Sequence, residues 1–391
     1  MCIRDRNNII DQVFPETLKI LSDLIKFQTV SGTSNLELIE YCEKKLEKLG
    51  AISFKTFHNS KQQANLFSTI NGKKKLDGGG IILSGHTDVV PASGKKWSSD
   101  PFVALEKDSK VYGRGSCDMK GFIACTLALA PFFASQNLKK PIHFSFTYDE
   151  ETACQGAPIM LKELKKRNVK CSICIVGEPT SMKAVQAHKG CYEYSTYFTG
   201  LAGHGSAPDK GVNAVEYASR YINKLMELRE TLKKREPENS VFTPPYSTLQ
   251  IGGIKGGLAR NVIADQCVVD WELRPVVPED GVFVNQNIEA YVKDILLPEM
   301  RKVYPKANIR KEIIGEIIGF AKEEKSDAVN LVCNLTGDNS RDVVSFGTEA
   351  GLFQELGIST VVCGPGSIEQ AHTIDAVSYT HLRAHETSLH L

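Results

Sequence analysis

The sequence predicts an α/β fold: a mixed, mostly parallel sheet between helices, with a smaller α+β domain inserted into it. Three observations predict this. Through the first half of the chain, short apolar runs alternate with helical stretches, the pattern of an α/β sheet. From about Gly190 the pattern changes to paired strands and helices in the order β-α-β-β-α-β, which describes a ferredoxin-like unit. Beyond residue 315 the first pattern returns, so the larger domain spans 1–187 and 316–391 and the inserted one 188–315.

Element by element, amphipathic helices are expected around Glu16 to Phe27 and Asn35 to Leu49. Strands follow at "GGIILSG" (79–85), "IHFSFTY" (142–148) and "CSICIVG" (171–177), with helices at "MKGFIACTLALAPFFAS" (119–135) and "GAPIMLKELKKR" (156–167). In the insert, "CYEYSTYFTG" is a strand, a helix covers 214–230, and "STLQIGGIKGG" pairs with "CVVDWELRP". A helix over 284–303 and a strand over 309–317 complete it. The larger domain then resumes with a helix near Asp327 and the strand "STVVCGPG" (359–366).

Composition narrows the function. A chain of 391 residues with 42% hydrophobic content can bury two ordinary cores. Lys+Arg 47 against Asp+Glu 46 leaves a formal charge of +1, so no global field draws the protein to nucleic acid or an anionic membrane, and a small-molecule substrate fits better. The opening "MCIRDRNNIIDQ" lacks the apolar core of a signal peptide, no run is long enough to span a bilayer, and the expected location is the cytoplasm. Eleven cysteines at irregular spacing argue for a reducing compartment rather than a disulfide framework. Cys171 and Cys174 have metal-ligand spacing, but no second pair follows and the stretch reads as a strand.

Potential metal ligands end each strand of the first domain, and open α/β sheets bind their ligands beyond the carboxyl ends of strands. "SGHTDVVP" supplies His86 and Asp88, "DEE" supplies Asp149, Glu150 and Glu151, and "GEPT" supplies Glu178; "YGRGSCDMKGF" adds Asp118 and "GSIEQAHTID" adds His372. His86 and Asp88, two apart in an extended segment, leave on the same side, so the carboxylate can hold the imidazole tautomer. Each signal also has a plain structural reading: an exposed His beside a turn Asp, Asp118 as a helix N-cap, Glu178 as a turn carboxylate. Their shared location at one sheet edge favours the chemical one. One imidazole or two with several carboxylates and no thiolate suits zinc, cobalt or manganese in a hydrolytic site, and the set exceeds what one ion needs.

In this order and context, "SGHTDVVP", "GRGSCDMKG", "DEE", "GEPT" and "GHGSAP" resemble the di-zinc amidohydrolase and peptidase family of acetylornithine deacetylase, succinyl-diaminopimelate desuccinylase and aminoacylase, over about 14–375. The resemblance implies a zinc-peptidase-like catalytic domain and an inserted lid and dimerisation domain. It implies two Zn2+ per subunit, with Co2+ as a possible substitute, His86 and Glu178 on one, Glu151 and His372 on the other, and Asp118 bridging. Asp88 would orient His86, Glu150 would be the general base that takes a proton from water and later gives it to the leaving amine, and Asp149 would only face solvent. His204, in "GLAGHGSAPDKGVNA", would come from the partner subunit as an oxyanion donor, which implies a homodimer, although a His in a Gly-rich loop is also an ordinary structural residue. Asn261 in "ARNVIAD" and Arg274 in "WELRP" match substrate-holding positions, a solvated strand Arg being the alternative.

"FGTEAGLFQ" followed by "GPGSIEQAH" resembles acetylornithine deacetylases more than desuccinylases. Glu349 would then meet the substrate's ammonium group, or serve only as a first-turn acid on a helix dipole. The activity implied is hydrolysis of N-acetyl-L-ornithine in arginine synthesis. N-succinyl-diaminopimelate or another N-acyl amino acid is the alternative substrate, and an inactive binding protein on the same fold the remote one. The chain departs from the family after His372, where "TIDAVSYTHLRAHETSLHL" replaces the usual closing helix. Residues 377–391, with His381, His385 and His390, and the opening 1–6 read as non-native sequence rather than as a metal tract.

Overall fold

The computed structural model describes residues 3–71, 79–92 and 96–379. Two helices open the chain, α1 (Ile3–Lys26) and α2 (Leu36–Glu47), followed by an antiparallel pair, β1 (Ile52–Phe57) and β2 (Ala64–Ile70). Next come β3 (Ile81–His86), β4 (Leu105–Lys107), β5 (Lys110–Tyr112), α3 (Lys120–Ser135), β6 (Ile142–Thr147), α4 (Gly156–Lys166), β7 (Ile173–Val176) and β8 (Ala184–His188). The chain then builds β9 (Cys191–Thr199), α5 (Ala214–Lys233), β10 (Thr248–Gly256), β11 (Gln266–Arg274), α6 (Pro278–Tyr291), α7 (Leu297–Val303) and β12 (Asn308–Ile317). It closes with α8 (Asp327–Thr336), β13 (Arg341–Val344), α9 (Ala350–Glu355), β14 (Ser359–Val362) and β15 (Val377–Tyr379).

The chain divides into two compact units, one of Met1–Ala187, Phe320–Asp342 and Thr348–Leu391, the other of His188–Gly319 and Val343–Gly347. In the smaller unit the sheet order is β10-β11-β9-β12 with every neighbouring pair antiparallel, the ferredoxin-like arrangement expected from the element order. Its core gathers Phe198, Tyr221, Leu225 and Trp271, with the Tyr194 and Trp271 rings 4.4 Å apart.

An eight-stranded sheet, β1-β2-β6-β3-β7-β14-β8-β13, forms the centre of the larger fold. Its middle is parallel: β3 runs with β6, placing His86 opposite Thr147, and with β7, placing Ser84 opposite Val176, while Val176 pairs with Val362 of β14. Antiparallel β1 and β2 flank this core on one side and β8 on the other. Because β3, β6, β7 and β14 point the same way, the segments that follow them emerge along one edge. All six residues of β6 are buried, as a central parallel strand requires. Over one face lies α3, whose apolar residues are almost wholly buried, and α4 turns Ala157, Met160, Leu161 and Leu164 inward.

Sequence periodicity located β3, β6, β7, β14 and the main helices to within a few residues, but not β1, β2, β8 or β13. In β2 the pattern is masked because buried positions carry Asn65 and Ser68, and Asn65 reaches Thr56 at 2.8 Å and the Gly156 carbonyl at 2.9 Å. The first helix starts well before Glu16 and contains Pro15, which periodicity treats as a stop. Among the described residues no helix is long and apolar enough to cross a membrane. No disulfide involves the ten described cysteines, and among the described residues Cys171 and Cys174 belong to no metal-ligand group. His381, His385 and His390 lie outside the described residues.

Gly177, between β7 and Glu178, has no room for a side chain: a Cβ there would overlap the fully buried Phe122 ring. Gly177→Ala is expected to destabilise the larger unit by about 2–4 kcal/mol, seen as a lowered thermal midpoint. Gly252→Ala, whose nearest neighbour would be the Asp270 carbonyl at 3.7 Å, should change it little.

Candidate metal centre

The site is assembled from loops that leave the parallel strands. His86 is the last residue of β3 and is 1% exposed. Its Nδ1–H donates to the backbone carbonyl of Asp88 at 2.9 Å, which turns Nε2 toward the acidic residues. The Asp88 carboxylate stands 3.5 Å from the same Nδ1, so the carbonyl is the nearer orienting group. Nε2 faces Asp118 Oδ1 at 3.0 Å and Glu178 Oε1 at 3.8 Å.

Asp88 has a larger task than orienting His86. Its Oδ1 accepts the backbone N–H of Glu150 at 3.0 Å, and its Oδ2 accepts those of Glu151 at 3.3 Å and the Ser31 hydroxyl at 2.7 Å. Burial acts to raise Asp88, but its hydrogen bonds with His86, Ser31 and Glu150 hold the carboxyl below its ordinary range. Ser31 lies in the loop after α1, a stretch of small polar residues that carries no signal of metal chemistry, and sequence reasoning did not single it out.

The acidic segment after β6 is tightly curled. Asp149, Ala153 and Cys154 all have positive φ (51°, 74° and 53°), a conformation that non-glycine residues adopt at a cost of about 1 kcal/mol or more each. Asp149 was expected to face solvent; instead it is buried and accepts the Gly32 backbone N–H at 2.8 Å, tying the turn to the loop after α1. Glu150 is buried, and burial, with the like charges of Glu151, Glu349 and Asp88, pushes its carboxyl well above the usual range. The Cys154 thiol sits 3.6 Å from Glu150 Oε1.

Asp118 presents one oxygen to each side. Oδ1 faces His86, while Oδ2 lies 3.3 Å from His372 Nε2, which in turn is 2.8 Å from Glu151 Oε2. The N-cap of α3 is Met119, so Asp118 does not cap it. Burial would raise the Asp118 carboxyl, but hydrogen bonds with His372 and His86 hold it far below its usual range. The same contacts, from Asp118 first and then Glu151, lift His372 to about 10. His86 is raised well above the ordinary imidazole value by Glu178, Asp118 and Asp88, against the lowering effect of burial.

Glu178 follows β7, and its Oε1 is buried with no hydrogen-bond partner among the described residues. An orphaned carboxylate oxygen facing an imidazole nitrogen fits a cation site, and a nitrogen-and-oxygen donor set suits zinc or a similar divalent ion. At this sheet edge two groups of ligand atoms each lie within 4.8 Å of one another: His86, Glu150 and Glu178, and His86, Asp118 and Glu151. Glu349, at the start of α9, is 1% exposed, and its Oε1 also lacks a partner. Burial raises its carboxyl to about 7.

The remaining three predicted residues belong to the smaller unit. His204 is exposed, and its Nδ1 receives the Ser206 backbone N–H at 3.2 Å with the Ser206 hydroxyl 2.7 Å away, leaving Nε2–H as an outward donor. Asn261 lies beside it, its carbonyl accepting the Gly205 N–H at 2.8 Å. Arg274 is separate from this pair, at the end of β11, where its fork engages Glu272 at 3.0 and 3.2 Å.

A doubly faced aspartate among two histidines and three glutamates at the carboxyl edge of a parallel sheet defines a metallohydrolase-like site, and the chain belongs to peptidase family M20/M25/M40, whose model matches residues 82–385. Its relatives include the acetylornithine deacetylase of Pasteurella multocida (strain Pm70), 34% identical over 371 residues that cover 92% of each chain. That of Salmonella typhimurium (strain LT2) is 35% identical over 371 residues, 93% of each. The fold is similar to that of an M20 family metallo-carboxypeptidase from Sulfolobus solfataricus, with a TM-score of 0.72 and 18% identity over 96% of this chain and 98% of that one.

Two outcomes are expected. With His372 at about 10 in the metal-free protein, a divalent ion must displace its proton at pH 7, so metal uptake should release protons and tighten as pH rises. Titration calorimetry in buffers of different ionisation enthalpy reads this directly; a buffer-independent heat would contradict it. Asp88→Asn, which turns an amide toward backbone N–H donors, should cost at least about tenfold in bound metal or activity, measured by metal analysis and turnover.

Proposed function

We propose that the protein hydrolyses the acetyl amide of N-acetyl-L-ornithine, releasing acetate and L-ornithine for arginine synthesis. The observation that carries this is the identity of 34–35% to acetylornithine deacetylases over 92–93% of both chains, joined to an intact cluster of His86, Asp118, Glu150, Glu151, Glu178 and His372. His86 and Glu178 would hold one divalent ion, Glu151 and His372 a second, and Asp118 both. Zinc fits the donors, and cobalt would substitute. When bound, such ions polarise an amide carbonyl and make water ionise near neutral pH.

The protein's own residues do the rest. Glu150 takes the proton from the attacking water as the new C–O bond forms, then delivers it to the amine nitrogen as the C–N bond breaks. Its raised pKa, due first to burial, suits a group that must hold this proton between the two steps. Asp88 keeps Glu150 and Glu151 in place through their backbone N–H groups. His204, from the 188–315 lid and dimerisation domain of a partner subunit in a homodimer, offers Nε2–H to the developing oxyanion. Asn261 and Arg274 would hold the substrate, Arg274 pairing with its carboxylate through donors that Glu272 does not take, and Glu349 would receive the ornithine ammonium. The enzyme would act in the cytoplasm on its small-molecule substrate.

The test is turnover by the zinc- or cobalt-loaded protein of N-acetyl-L-ornithine, N-succinyl-diaminopimelate and a set of N-acyl amino acids. The first is expected to give kcat/KM at least about tenfold above the others, a margin of about 1.4 kcal/mol in transition-state binding. A clear preference for another substrate reassigns the enzyme within the family. Glu150→Gln should lower kcat by about a thousandfold while both ions stay bound; loss of an ion would make Glu150 a ligand instead.

A further inference from the structure

Cys154 lies in the curled segment after β6 and is 1% exposed. Two of its groups reach Glu150. The backbone N–H donates to the Glu150 carbonyl at 2.9 Å, and the thiol donates to Glu150 Oε1 at 3.6 Å, an ordinary length for sulfur because its radius exceeds that of nitrogen. Among the described residues that thiol is the one hydrogen-bond partner of the Glu150 carboxylate. The turn keeps it there: Gln155 N–H donates to the Asp149 carbonyl at 3.0 Å and Gly156 N–H to the Tyr148 carbonyl at 3.1 Å, so the chain folds back along itself. A Cβ at Gly156 would stand 2.5 Å from both the Asn65 side-chain oxygen and the Tyr148 carbonyl oxygen, and only glycine allows so close a return. Cys154 itself holds a φ of 53°, a conformation that persists only where the surroundings fix it.

A carboxylate that collects a proton from water and returns it to a leaving nitrogen must be aimed at both, and a long flexible side chain loses that aim unless a partner fixes it. A thiol suits the task. It is a weak donor, so it selects a rotamer without stabilising the anion as a lysine or arginine would. Burial, with the carboxylates of Glu150, Glu349 and Glu178, pushes the Cys154 thiol well above its ordinary range, so it keeps the hydrogen it donates. We propose that Cys154 is a positioning residue for the hydrolysis, its thiol aiming the Glu150 carboxylate at the attacking water and then at the leaving nitrogen. This rests on Glu150 being the general base. Cys154 acts through Glu150 and touches neither substrate nor metal.

Aiming and packing leave different kinetic signatures. The experiment measures kcat, KM and bound metal for the cobalt-loaded full-length protein as wild type, Cys154→Ala and Cys154→Ser, on whichever substrate of the panel above it turns over fastest. It then repeats Cys154→Ala in a Glu150→Gln background. Cys154→Ala is expected to lower kcat about tenfold, with KM within about twofold and Co2+ content unchanged, because the lost contact serves the chemical step alone. Cys154→Ser keeps a hydroxyl donor and should stay within about threefold of wild type. In the Glu150→Gln background the alanine substitution should change kcat by less than about twofold, since no base is left to aim. An unchanged kcat in Cys154→Ala, a serine variant that falls as far as the alanine one, or an equal loss in both backgrounds overturns the proposal, the last two assigning Cys154 to packing. Should Cys154→Ala fail to fold, Cys154→Gly, which suits the positive φ, carries the same expectation and the same reversal. Glu150→Gln that keeps wild-type kcat, or sheds an ion, overturns the general-base reading instead, so the two failures are distinguishable.

Discussion

The carboxylate of Asp88 accepts the backbone N–H groups of Glu150 and Glu151 while the same residue's carbonyl receives Nδ1–H of His86, and the rest of the site is arranged around this knot. It ties the segment after β3 to the segment after β6, two neighbours in the parallel core. Charge-assisted hydrogen bonds of this kind are among the stronger ones a buried group can make. They act against the strain of a turn in which three of six residues, Asp149, Ala153 and Cys154, have positive φ. Without the Asp88 oxygens, those N–H groups would be buried donors with no acceptor, and the turn would have little reason to keep its shape.

Packing so many carboxylates together is a problem of like charge, and the protein meets it in several ways. Asp118 is stabilised as an anion by two imidazoles, one on each oxygen. Glu150 and Glu178 respond to burial in the opposite direction, their carboxyls raised well above the usual range. Neighbouring carboxylates are thus driven apart in proton affinity, the condition under which one serves as a ligand and another moves a proton. Glu178 and Glu349 each have a buried oxygen with no hydrogen-bond partner among the described residues, suited to receiving positive charge.

Strands β3, β6, β7 and β14 could be read because, buried on both faces, they are short continuous apolar runs, and their ends carry the titratable residues. Strand β2 could not, because Asn65 and Ser68 face inward and are satisfied by partners that become neighbours only in the folded chain. The His86, Asp118, Glu151, Glu178 and His372 set was visible as residue types at strand ends, and the fold brings these five together. Ser31 was invisible, since a serine in a polar loop has no distinguishing chemistry until a carboxylate is placed 2.7 Å away. Asp149 was misread for a related reason. An acid in a turn normally faces water, and only the loop after α1 turns it into a buried acceptor.

By itself, then, the sequence determined the α/β class, the inserted β-α-β-β-α-β unit, and the identity and order of the residues at the sheet edge, because period, composition and motif spacing are local properties of the chain. Tertiary structure alone decided which oxygen of Asp118 faces which histidine, and that a backbone carbonyl rather than a carboxylate lies nearest His86 Nδ1. These depend on distances between segments far apart in sequence. Hydrogen bonds and charges act over a few ångströms, and only the folded chain sets those separations.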